Sequence, residues 1–96
     1  MSPFKKKKLY KIRLELDKLD IQLLKIIKKR TNLVKKVLKL KDKKSQIVDQ
    51  KRIRKILSNI KTKSIKNKID PKITHRIWKN MILAYIDFEK RNFKKK

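Results

Sequence analysis

Cysteine is absent from this chain of 96 residues, which removes a disulfide framework, a thiolate metal site and a cysteine nucleophile together. Glycine is absent as well, so no glycine-rich phosphate loop exists and turns must come from polar clusters and the two prolines. Aromatic residues make up 6%, which leaves little for stacking on nucleobases. No apolar run approaches the ~18 residues a membrane span requires, and the basic segment Lys5 to Lys8 leads into no apolar leader core. These absences predict a cytoplasmic protein with no membrane partner. The lone His75 has no Cys or second His beside it, so no metal is expected. No Ser/His/Asp set is present either.

Acids are scarce: 8 Asp and Glu against 33 Lys and Arg give a formal charge of +25. Clustered cations would neutralise nucleic-acid phosphates. Here, however, 27 of the 33 are Lys, spread along the whole chain, and Lys, Ile and Asn together fill 46 of 96 positions. That is the output of A/T-rich codons rather than a concentrated binding face, and it argues against a nucleic-acid partner. The six Arg residues carry more information, because this composition would otherwise have made them Lys.

The length allows one domain, over 1–96, with 1–8 and 94–96 expected as frayed basic tails. From Leu9, positions 9, 12, 16, 19, 23, 26, 30, 33, 37 and 40 alternate steps of three and four and are apolar except Arg30. This predicts an amphipathic helix of about 50 Å with a coiled-coil-like seam. After a break at Asp42 to Gln46, Asp49 is an N-cap candidate, with Val48 and Ile53 placed as a hydrophobic staple. Ile53, Ile56, Leu57 and Ile60 form the stripe of a short second helix, and Lys61 to Ile69 reads as a connection. Asp70-Pro71 starts a third helix, to about Phe93, whose stripe is Ile73, Ile77, Trp78, Met81, Ile82, Tyr85 and Phe88. The fold class is all-α: long, short and long helices. Two shorter helices cannot cover so long a seam, so an intertwined homodimeric bundle is expected over a monomeric three-helix bundle.

Polar residues in apolar places mark the candidate site. Arg30 interrupts the seam and requires an anionic partner, either a protein carboxylate or a ligand. Lys41, 11 residues on, shares its helical face and suits a small dianion between the two cations. Arg52 sits in the first turn of the second helix, where the macrodipole disfavours cations, so an adverse position suggests use. Glu89 falls on the apolar stripe of the third helix, either paired with a Lys or facing a ligand.

The residues Arg13, Leu19-Asp20, Leu23-Leu24, Arg30, Leu33-Val34, Lys41, Val48-Asp49, Arg52, Ile69-Asp70-Pro71 and Ile86 to Glu89 carry, in order and spacing, a resemblance. The segment Ile12 to Phe93 resembles the all-helical AroQ-class chorismate mutases. The resemblance implies an isomerase of aromatic amino acid biosynthesis that converts chorismate to prephenate as an intertwined homodimer without a cofactor. It implies that Arg30 and Lys41 of one chain, with Arg13 of the other, hold the substrate's two carboxylates, and that Lys41 also reaches the breaking ether oxygen. Arg52 and Asp49 would line the pocket, and Glu89 would stand where many members have Gln. Two positions depart from the pattern. Ile53 replaces a Glu common after the Arg, and Tyr85 replaces a small Ser. Both substitutions are features of the related isochorismate pyruvate-lyases, the alternative reading of the same pocket.

Overall fold

The computed structural model describes residues 1–94, and they form three α-helices and one turn of 3-10 helix. Helix α1 is Pro3–Leu40, the 3-10 turn is Lys44–Gln46, α2 is Gln50–Lys66 and α3 is Pro71–Asn92. The described residues fall into two compact units, 1–33 and 34–94.

The first unit is helical from its third residue. Ser2 is the reason: its Oγ accepts from the Lys5 backbone N–H at 3.2 Å, and Pro3 supplies a helix-ready φ at the first position. Lys5 to Lys8 therefore lie inside α1 rather than in a frayed tail. At the other end Lys94 lies outside helix, and the rest of the expected 94–96 tail falls outside the described residues. The seam has the spacing read from sequence, yet Ile12, Leu16, Leu19, Leu23, Ile26 and Leu33 each remain half exposed or more, and no residue of α1 is buried.

The second unit contains the core. Asp49 caps α2, its Oδ1 accepting from the Arg52 N–H at 3.0 Å, and Asp70 caps α3 by accepting from the Lys72 N–H at 2.9 Å. Ile53, Ile56, Leu57 and Ile60 turn inward as expected. Helix α2 then continues through Lys61 to Lys66, where a connection was expected, because Ser64 extends the same stripe by one more turn. Its Oγ donates to the Ile60 carbonyl at 2.6 Å and lies 2.7 Å from Thr74 Oγ1, so a buried hydroxyl pair joins α2 to α3. On α3 the inward side chains include Trp78, Met81, Ile82, Tyr85 and Phe88, whereas Ile73 and Ile77, placed in the same stripe from sequence, stay half exposed. The inward arc is rotated toward Thr74 and Glu89. Ile47, in the break before α2, is the one buried apolar residue among those described.

The α2–α3 turn has to reverse the chain without glycine. Lys68 supplies the left-handed residue, at φ 58°. Around it the Ile69 N–H donates to the Ser64 carbonyl at 2.9 Å and the Lys68 N–H to the Ile65 carbonyl at 3.1 Å, the two bonds of a Schellman closure. A side chain with a Cβ is strained there. Lys68→Gly is expected to stabilise the protein by about 0.5–1 kcal/mol, net of the entropy glycine adds to the unfolded chain. Thermal melting followed by circular dichroism checks this, with a midpoint raised by a few degrees.

Candidate active site

Glu89 is where α3 delivers a carboxylate inward, at 7% exposure. A lone ion so placed would be costly, and Lys41, the first residue beyond α1, meets it: Nζ lies 2.9 Å from Glu89 Oε2. Both side chains are largely buried. Two residues 48 positions apart, picked out separately from the sequence, are thus in direct contact. The reading of Glu89 as a residue paired with a Lys is correct in geometry, and the Lys is the one with a proposed role of its own.

Lys41 is fixed by the turn that follows it. Its N–H donates to the Leu38 carbonyl at 3.1 Å, while Gln46 Oε1 accepts from the N–H groups of Asp42 and Lys43 at 2.7 and 2.9 Å. The chain is folded back by a side-chain acceptor where glycine would be usual. Beside Lys41 an open depression of about 620 Å³ is lined by Val37, Val48 and Asp49 among others. Lys41 and Asp49 therefore face one space, but Asp49 has one oxygen engaged in capping α2.

The other candidate residues are placed as follows. Arg52 is exposed in the first turn of α2, its backbone held by Asp49. Ile53 is half-buried, as the staple arrangement requires, and Tyr85 is half-buried on the inward side of α3. In the first unit Arg13 is exposed. Arg30 is half-buried, and its Nε is buried without a hydrogen-bond partner among the described residues. The ion pairs among the described residues, Lys41–Glu89 and exposed Arg91–Asp87, do not involve it. Of the two partners foreseen for Arg30, a protein carboxylate is therefore absent among the described residues.

Sequence reading missed Gln46 and the Ser64–Thr74 pair. Ser64 was findable, lying four residues after Ile60 and seven after Leu57. Gln46 was not, because an acceptor serving two N–H groups has no periodicity.

Within the second unit, a partly buried ammonium-carboxylate pair beside an open depression can bind a small anion and neutralise charge developing on an oxygen. No group here is arranged as a nucleophile with its base. Residues 12–90 match the family model described as chorismate mutase type II. No curated protein and no solved structure matches the chain.

Proposed function

Because the chain belongs to the chorismate mutase type II family, we propose that it rearranges chorismate to prephenate. The observation that supports this most directly is the Lys41–Glu89 contact, since it joins the residue that the resemblance assigns to the ether oxygen to the one standing where many members have Gln. The rearrangement is unimolecular and pericyclic. It needs neither nucleophile nor general base. It needs a flexible dianion held in a compact chair-like conformer, and stabilisation of negative charge on the ether oxygen as the bond breaks. Arg30, with Arg13 of a second copy, binds the carboxylates; Lys41 binds a carboxylate and donates to the ether oxygen; Glu89, when protonated, donates to the same oxygen. Arg52 and Asp49 line the approach. Arg30 Nε, buried and unpartnered, is satisfied by the substrate.

The decisive experiment supplies chorismate and isochorismate separately to the purified protein and identifies the products. Prephenate from chorismate is expected. Salicylate and pyruvate from isochorismate alone would replace the reading with a pyruvate-lyase, the outcome that Ile53 and Tyr85 favour. Steeply salt-dependent binding to any DNA or RNA, with no turnover, would replace it with a nucleic-acid-binding role.

The proposal includes a homodimer through the first helix, supported by the exposed seam from Ile12 to Leu33. Light scattering at micromolar concentration is expected to return twice the chain mass. A monomer would remove both the dimer and the shared site containing Arg13.

A further inference from the structure

Away from Lys41 and Glu89, the α2–α3 hairpin borders a second, open groove of about 720 Å³. Its basic lining is Lys61 from α2 with Lys72 and Arg76 from α3, beside the His75 imidazole. Ser58 contributes a hydroxyl, and Leu57 and Pro71 an apolar wall. The charge around it is of one sign. Asp70 is the single acid between residues 50 and 86, and its Oδ1 is engaged with the Lys72 N–H. General lysine enrichment would explain Lys61 and Lys72. It does not explain Arg76, one of six arginines in a chain that writes Lys at 27 positions, nor His75, the only histidine. An arginine kept against that bias, exposed and joined to no carboxylate among the described residues, suits an oxyanion that presents two oxygens to its planar fork.

We propose that this groove binds an organic phosphate monoester, with Arg76 forked onto the phosphate, Lys61, Lys72 and His75 around it, Ser58 donating its hydroxyl, and the organic group against Leu57 and Pro71. A phosphate is preferred to a carboxylate because four cationic or donor side chains and a hydroxyl exceed what two carboxylate oxygens can accept. The volume accommodates a ligand of small-metabolite size. The inference is independent of the proposed mutase activity, since the groove contains none of the residues assigned to turnover.

The test is a titration of the full chain with phenyl phosphate, followed by backbone amide NMR shifts at about 0.15 M salt, where the ~8 Å Debye length suppresses diffuse attraction to a +25 chain. Three variants accompany it: Arg76→Lys, Ser58→Ala and, as a control with the same charge and chemistry outside the groove, exposed Arg54→Lys. Saturable shifts centred on residues 57–61 and 71–76 are expected. Arg76→Lys keeps the charge and loses the fork, so it should weaken binding on the order of tenfold. Ser58→Ala should weaken it less, and Arg54→Lys not at all. Shifts scattered over the lysines without saturation, saturation centred on the Lys41 depression, or an Arg76→Lys effect no larger than that of Arg54→Lys would each overturn the proposal. None of these readouts depends on turnover, so loss of mutase activity and loss of this site are separately visible.

Discussion

Arg30→Ala is expected to lower kcat/KM by on the order of 10³-fold while leaving the far-ultraviolet circular dichroism unchanged, as removal of a preorganised oxyanion donor does elsewhere. The side chain occupies a seam position that is otherwise apolar, and its buried Nε has no partner among the described residues. A donor so placed destabilises the free protein and is satisfied only when an anion arrives. Activity and stability should therefore move in opposite directions. Arg30→Leu, which completes the seam, is expected to be as inactive as Arg30→Ala and yet to melt higher, by about 1 kcal/mol of added stability, because exchanging a buried cation for an apolar side chain is commonly neutral or favourable. Steady-state kinetics and thermal melts on both variants decide it. Normal turnover in Arg30→Ala would end the anion-clamp argument, and a lower melting temperature in Arg30→Leu would show the guanidinium to be structurally paired.

Glu89→Gln is expected to change the pH dependence of the reaction more than its maximum rate. A carboxyl donates a hydrogen bond to an ether oxygen only while it holds its proton; ionised, it opposes the charge that develops there. An amide does not titrate. Its oxygen can still accept from Lys41 Nζ, which now lies 2.9 Å from the carboxylate, and its NH2 remains free to donate. The variant should keep its activity to higher pH. Profiles of kcat/KM from about pH 5 to 8.5 for both proteins check this. Superimposable profiles, or a Gln variant inactive throughout, would mean that Glu89 serves only as the counter-ion of Lys41.

Helix existence and type were legible because the apolar spacing is strict, and the Asp70-Pro71 start was legible because a capping side chain next to proline is a local signal. Ser2-Pro3 carries the same signal. Its position ahead of a lysine run hid it, and α1 begins six residues before Leu9 as a result. The length of α2 was obscured by chemistry: Ser64 is polar by type but is buried, its hydroxyl satisfied by Ile60 and Thr74. Ile73 and Ile77 show the opposite limit, since their spacing marks them as apolar without saying what covers them. For the site, the inward placement of Glu89 followed from its phase on α3. Its pairing with Lys41 did not, because a contact across 48 residues depends on how the turn at Gln46 directs the chain, and that turn is made by one side-chain oxygen.

With Ile47 the only buried apolar side chain among the described residues, little of the stability can be intrinsic to a single polypeptide. If the seam of α1 closes on another copy, folding obeys mass action, and each tenfold dilution withdraws about 1.4 kcal/mol per associated pair. Supply then becomes a control on survival: a cell making few copies would hold a larger share of them unassociated, with the Ile12 to Leu33 seam open to proteases and chaperones, and catalytic output would rise more steeply than the amount synthesised.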